Sequence, residues 1–518
     1  MLDKLFGFKV HSFLHVLGMA VLSFGLPLNK VLMSIGAIWG VSNLVLEGDV
    51  KTYLQNIRNN TAFKWLLAFC ALHLIGIIWS SDIPFALHDL RIKLPLLAVP
   101  LALVARPITN RNHIHLILYA LLLSLIITSF LNFGFYQQWF GPKQYSDIRE
   151  MSLFGSHIRY GILIALGFGI ALYMVYSKKS IVPNLVWIGL LCWFGFYTFY
   201  SQILSGVLSL FVLLIVFILF ISFKYNKYIS IVIIGLIFLL LYGLFAFFKP
   251  QPTAMLNSKK LPVKTKEGNL YLNDFKSQNR ENNKLVFISY CDYELEREWN
   301  KISPYHYYEK DKKGQFLRNT LIRYLASKDF SKDAVGVKKL TPFDVHNIEN
   351  GIASVELLQT GIIARLNGIK YQFNNNFDPN GHSILQRFEY WKTALEIIQK
   401  NWIIGTGTGD VQLAFDQQYE KDNSILLKKN RLRAHNMYLT VWVTFGIVGL
   451  VIFFGFLYSF IRFNINNKEL LAILFFFVMM ATFLIEDTIE TQMGVSLISL
   501  FIGLFLSKIE NVDKKIKV

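Results

Sequence analysis

The fold class that this sequence predicts is an all-α polytopic membrane protein, with about 12 transmembrane helices and one large, mainly helical periplasmic loop. Three observations carry the prediction. Of 518 residues, 53% are hydrophobic and 17% charged, with mean hydropathy +0.41, and a soluble chain of this length carries more charge. The apolar residues gather into runs near the ~20 residues that cross a ~30 Å hydrocarbon layer. Short basic connections between the runs fall on one side, as the positive-inside rule requires.

In order, the spans are read at residues 11–29, 31–46, 62–80, 90–105, 112–134, 159–177, 182–200, 203–222, 228–248, 437–460, 469–486 and 491–507. A run such as ISIVIIGLIFLLLYGLFAF would need apolar partners on every side in a soluble fold, and a helix satisfies its backbone inside lipid. An even count puts both termini on one side. Lys4, Lys9, Lys51, Arg58, Arg106, Arg111, Lys178, Lys179, Lys224, Lys227, Arg462, Lys468, Lys514, Lys515 and Lys517 fall on that side, which is read as the cytoplasm. The expected organisation is a first bundle of about nine helices over 1–248, a periplasmic domain over 249–434, and the last three helices with a cytoplasmic tail over 435–518. The basic start has no small-residue cleavage pattern, so the first apolar run is read as retained.

Much of the net charge of +18 is topological and anchors helices against an anionic leaflet. Nucleic acid as a partner has no support beyond charge, because there is no recognition motif and the basic residues are scattered over both sides of a membrane. Cys70 and Cys192 lie within spans, so with Cys291 they imply no disulfide framework.

The long outer segment is exempt from the positive-inside rule by its length. Up to about Asn283 its composition reads as loosely structured. Further on, Ile384, Phe388, Trp391, Leu395 and Ile398 recur at helical spacing after a capping-box pair, Ser383 and Gln386. They predict an amphipathic helix from about Ile384 to Lys400, with Arg387 and Trp391 on one face. The glycines of GTGTGD permit a helix stop with flexible turns, or a positioning loop beside the membrane mouth. Asp410 is placed to cap a helix through VQLAFDQQYEK.

Polar residues gather at one outer mouth, whereas a transporter or channel more often places ionisable groups near midplane. Arg387 is either a solvated residue or a rigid fork for a phosphate diester or pyrophosphate. His157 and Arg159 stand at the start of the sixth span, where free N–H groups favour an anion, although Arg159 also has the length to reach lipid headgroups. In RLRAHNMYL, Arg433 precedes His435 and Asn436. Asn436 reads as a helix cap, and a neutral His435 can accept a proton near pH 7. Glu486, Asp487 and Glu490 mark a polar turn, orient a histidine, or bind an acceptor.

In combination, FGSHIRYGILIALG, NGHSILQRFEYWKTALEIIQKNWIIGTGTGD, RLRAHNMYLTVWVTFGIVG and EDTIETQMG resemble the O-antigen ligase and polymerase superfamily of bacterial inner-membrane glycosyltransferases, most of all its ligase-like members. The resemblance implies a multi-pass inner-membrane enzyme with both termini cytoplasmic and its active site on the periplasmic side. It implies transfer of a glycan from an undecaprenyl pyrophosphate donor to lipid A core or another glycan or protein acceptor, by inversion, without cofactor or metal. His435 matches the family's essential histidine and Arg387 the arginine heading its Arg-x-x-x-Trp helix, with Trp391 as partner. Where many relatives carry a Ser-Arg-Gly-like signature, this chain reads SQILSGVLSLF, with Gln202 and no arginine; Arg159 is the candidate replacement. The substrate-binding set is then Arg159, His157, Trp391, Asn436, Arg433, Gln202, Glu486 and Glu490, beside catalytic His435 and Arg387. O-antigen polymerase, protein O-oligosaccharyltransferase and a non-enzymatic exporter of the lipid-linked glycan remain alternatives.

Reporter fusions test the topology. A periplasmic reporter should be active when fused within 249–434 and silent at residue 518, and the same signal at both sites would refute an even span count with a periplasmic loop.

Overall fold

The computed structural model describes residues 10–142, 145, 148–177, 182–249, 261–277, 279–281, 284–355, 361–374, 379–380 and 383–507. Lys4, Lys9, Lys178, Lys179, Lys514, Lys515 and Lys517, used in the topology argument, lie outside the described residues.

A helix coincides with each expected span. The first nine are α1 (Val10–Gly25), α2 (Lys30–Glu47), α4 (Thr61–Ile75), α5 (Ile83–Ala105), α6 (Arg111–Tyr136), α7 (His157–Ser177), α8 (Asn184–Tyr200), α9 (Leu204–Tyr225) and α10 (Lys227–Phe248). The last three are α18 (Met437–Asn466), α19 (Leu470–Phe483) and α20 (Gln492–Leu506). Among the described residues, α2, α6, α7, α9, α10 and α18 are long and apolar enough to cross a membrane, so the chain is a multi-pass membrane protein. α1, α4, α8, α19 and α20 are apolar but shorter. α5 starts well before the expected residue 90 and carries Asp89, Arg91 and Lys93. One helix was not expected: α3 (Val50–Asn59), a polar connection capped by the Asp49 side chain on Thr52 N–H.

Contacts divide the chain into two compact units, Met1–Ile233 with Gln386–Val518, and Ile234–Leu385. The partition expected from composition differs, because residues 386–434 pack with the apolar helices. α16 (Ser383–Lys400) and α17 (Val411–Lys421) share a core with α18, formed by Tyr390, Ala394, Ile398, Phe415, Tyr419 and Val443. The buried stripe of α16 is thus Tyr390, Thr393, Ala394, Ile397 and Ile398, whereas Phe388 and Leu395 of the expected stripe are exposed. Periodicity identified the helix but placed its buried face about one residue away, since Tyr390 turns inward to donate its hydroxyl to Asn430 O at 2.9 Å.

The second unit contains α11 (Asp292–Ile302), α12 (Leu317–Ser327), α13 (Ala334–Lys338), α14 (Pro342–Glu349) and α15 (Gly361–Asn374). Trp299, Tyr307, Leu321 and Tyr324 form its core. The stretch read as loosely structured supplies two short strands: β1 (Leu272–Asn273) pairs antiparallel with β4 (Ile288–Tyr290), and β2 (Arg280–Glu281) with β3 (Lys284–Leu285).

In the first unit, α7 meets α9 where Gly161 faces Gly206. A Cβ on Gly161 would lie 2.8 Å from Ile203 and 3.1 Å from Gly206 Cα, the close approach that small residues allow between membrane helices. Beside it, Ser205 donates to Ile158 O at 2.9 Å, which ties the start of α9 to the start of α7. Gly161→Val should therefore lower stability by about 1–3 kcal/mol through overpacking, read as a lower melting temperature in detergent. Gly243→Ala, where nothing lies within 4 Å, should not; equal effects would show that the close approach is dispensable.

Candidate functional site

The loop Asn401–Asp410 fixes the site's framework. α18 breaks at Gly446, with φ +63° and ψ −159°, which frees backbone groups on both sides of the break. The loop takes them up: Thr406 and Gly407 N–H donate to Val443 O and Thr444 O at 2.8 and 2.9 Å, and Ile447 N–H donates to Trp402 O at 2.8 Å. A Cβ on Gly405, at φ +71°, would stand 2.4 Å from Thr444 backbone, so the close approach demands glycine. GTGTGD is thus a packed clamp. Asp410 does not cap α17 with its side chain; its carboxylate accepts from Ser81 N and Asp82 N at 2.9 Å, because the turn after α4 presents those donors directly to it.

At the start of α18, Asn436 is the cap expected of it. Its Oδ1 accepts from Tyr438 and Leu439 N–H, each at 3.1 Å, and its Nδ2 donates to Leu484 O at 3.2 Å. Both polar ends are engaged by the protein, so its expected substrate contact has no support in this geometry. His435 has φ +46°, an uncommon conformation for a side chain of its size. It is held there by its backbone N–H on Asp487 Oδ2 at 3.0 Å, while Asp487 Oδ1 accepts from Thr440 at 2.7 Å. The Tyr390 ring lies 5.6 Å from the imidazole, centroid to centroid.

One buried carboxylate gathers the candidate residues. Glu486 receives Arg159 Nη2 at 2.8 Å, His435 Nδ1 at 3.4 Å and Arg387 Nη2 at 3.7 Å, and Arg387 Nε donates to Ile485 O at 3.0 Å. The histidine contact is a close approach without hydrogen-bond alignment: His435 Nδ1, Glu486 Oε2 and Arg159 Nε are buried without a hydrogen-bond partner among the described residues. Burial pushes the Glu486 pKa up, but the imidazole and the two guanidiniums outweigh it and hold the carboxyl below its usual range. For Asp487 burial dominates and raises the pKa.

A second group adjoins through the same turn. Glu490 binds Lys93 at 2.7 Å and Arg433 at 2.8 Å, and Lys93 also binds Asp89 at 2.6 Å. Burial opposes the Glu490 charge, yet Lys93 and Arg433 hold its pKa well below the carboxylate range.

Arg159 and Glu490 also line a cavity of about 1090 Å³. Its lining includes Asn29, Lys30, His88 and Arg91 at the starts of α2 and α5, and Ala37, Ile38, Val41, Pro95 and Ala98 farther along the same helices.

Residues 344–454 match the O-antigen ligase family model. The match covers about a fifth of the chain, includes Arg387, Trp391, His435 and Asn436, and agrees with the resemblance read from the motifs. It implies a glycosyltransferase-like enzyme of the O-antigen ligase or polymerase type, a class whose partners are a lipid-linked glycan and, in general, a lipid A core acceptor. No curated protein matches the chain.

The structure therefore brings together Arg159, Arg387, Arg433, His435, Asn436, Glu486 and Glu490. His157 opens α7 two residues ahead of Arg159. Gln202, at φ +53° in the turn before α9, is not among the residues that meet Glu486. Trp391 packs in the α16–α17 core. Sequence reasoning missed Lys30, His88, Arg91, Lys93 and Tyr390; the i,i+4 pair Asp89 and Lys93 within LHDLRIKLP was a legible signal for one of them.

Because the folded pKa of Glu490 is depressed, its stabilisation is full above the unfolded value of ~4.3 and is lost as pH falls towards the folded one. At neutral pH, Glu490→Gln should cost about 3–5 kcal/mol by leaving buried cations undercompensated. The melting-temperature gap between wild type and this variant should narrow from pH 6 to pH 3; a constant gap would mean that Glu490 does not carry the pairing charge.

Proposed function

We propose that this chain is a bacterial inner-membrane glycosyltransferase that moves a glycan from undecaprenyl pyrophosphate to an acceptor at the periplasmic face, with O-antigen ligation to lipid A core as the favoured reaction. The observation that supports it is the convergence of Arg159, Arg387 and His435 on Glu486, with Arg159 also lining a cavity that holds Lys30 and Arg91 and a set of apolar side chains from α2 and α5. With a neutral imidazole, two guanidiniums share one carboxylate, which leaves a positive charge suited to a pyrophosphate. The apolar lining suits a polyprenyl tail. The proposal places twelve spans in the membrane, both termini in the cytoplasm and the site on the opposite side.

His435 takes the proton of the acceptor hydroxyl as the oxygen attacks the anomeric carbon. The bond to the pyrophosphate oxygen breaks on the opposite face, so configuration inverts, and the leaving group departs as an anion whose charge Arg159 and Arg387 offset. The resulting imidazolium is stabilised by Glu486. The leaving group is already a stable anion, so this route needs neither a general acid nor a metal.

The test uses purified protein, synthetic undecaprenyl pyrophosphate glycan and three acceptors: lipid A core, a glycan repeat and a protein. His435→Ala should lose roughly 10² to 10⁴ in transfer rate while retaining donor binding, whereas Arg387→Ala should weaken both. Wild-type transfer by His435→Ala would remove the imidazole from the mechanism, and preference for a glycan repeat or protein would replace the ligase assignment.

A further inference from the structure

The loop that clamps the break in α18 has two unlike halves. Gly405, Gly407, Thr408 and Gly409 are buried, while Trp402, Ile403 and Ile404 are 55%, 49% and 54% exposed. Three consecutive large apolar side chains in the open are unusual on a surface facing water. They stand at a particular height on α18, since Trp402 O and Ile403 O accept from Ile447 and Val448 N–H at 2.8 and 3.4 Å. From Ile447 to Ile461 the helix carries no charged residue, and Arg462 follows. Its outward residues beyond the break, Val448, Val451 and Phe454, are also exposed and apolar, so the tripeptide continues a lipid-facing surface. Ahead of the break, by contrast, Met437, Thr440, Val441, Val443, Thr444 and Phe445 are buried within protein.

We infer that Trp402–Ile404 is a membrane-seating element whose side chains enter the outer-leaflet acyl region. The backbone chemistry fits that depth. Irregular backbone at the edge of lipid is tolerated only where its polar groups are satisfied by protein, and here the loop and the broken helix satisfy each other. Tryptophan suits the boundary because its ring is apolar and its N–H polar. The consequence is a side: His435, which precedes the break by 11 residues, lies beyond the lipid-facing part of α18, towards the headgroups. This assignment rests on the membrane reading of α18 and not on the glycosyl-transfer chemistry, and its test needs no activity.

The experiment is site-directed spin labelling of the full chain in phospholipid nanodiscs, with Cys70, Cys192 and Cys291 replaced by alanine and single cysteines introduced at 402, 403 and 404. Position 451 serves as the lipid-exposed reference and position 421, exposed on α17, as the aqueous one. Labels at 402–404 should resemble 451, with an oxygen-to-nickel-chelate accessibility ratio several-fold above that at 421. Accessibility like that at 421 overturns the inference, and so does shielding from both reagents, which would assign the tripeptide to a protein contact. If the cysteine-free chain does not fold, Trp402→Phe in the native background supplies the same reading: the fluorescence it removes should be quenched by lipids brominated in their acyl chains. Fluorescence insensitive to those lipids overturns the inference.

Discussion

Glu486 is the constraint on which the site depends. One carboxylate, 2% exposed, faces two guanidiniums and an imidazole supplied by three separate segments of the chain. Desolvating that many charged groups is costly, and mutual attraction repays the cost only when geometry is good and the remaining polar atoms are satisfied. Here His435 Nδ1, Glu486 Oε2 and Arg159 Nε have no hydrogen-bond partner among the described residues. The surrounding fold serves to hold these groups at one point. Asp487 fixes the His435 backbone, Asn436 fixes the helix start, and Glu490 anchors the far side of the turn through Lys93 and Arg433.

The clamp formed by GTGTGD acts on the same geometry from below. By capping both faces of the break in α18, it allows the first two and a half turns of that helix to follow a separate course from the membrane-crossing part. The imidazole can therefore be directed by contacts with α16 and the acidic turn, without the lipid-facing half of the helix deciding its orientation. α7 and α9, joined at Gly161 and Gly206, set Arg159 from the opposite side.

Much of this was legible in the sequence, for identifiable reasons. Apolar runs of bilayer length are a strong signal, and every expected span coincides with a helix. His435, Arg387, Arg159 and the acidic turn stood out because polar residues at the ends of such runs have few ordinary explanations. The start of α5 was obscured by Asp89, Arg91 and Lys93, since local hydropathy cannot register that Lys93 is paired with Asp89 one turn away and with Glu490 from the turn between α19 and α20. The buried face of α16 was misplaced because Tyr390 and Thr393, polar by type, are buried, while Phe388 and Leu395 are exposed. The role of Asp410 was hidden because its partners lie more than 300 residues away in sequence.

The link between Lys93 and Glu490 also bears on how the protein is made. About 400 residues separate the two partners, so at ~5–20 residues per second the ribosome needs roughly 20 to 80 s after Lys93 emerges before Glu490 exists. During that interval the lysine has only Asp89, one helical turn away, as its companion among the partners described above. Asp89 is thus the carboxylate within reach of Lys93 in its own helix while the chain is still short of Glu490. When the final hairpin arrives, it supplies Glu486 and Glu490 together. Both carboxylates lie on one short turn, so they enter the chain together and after every cation that they bind.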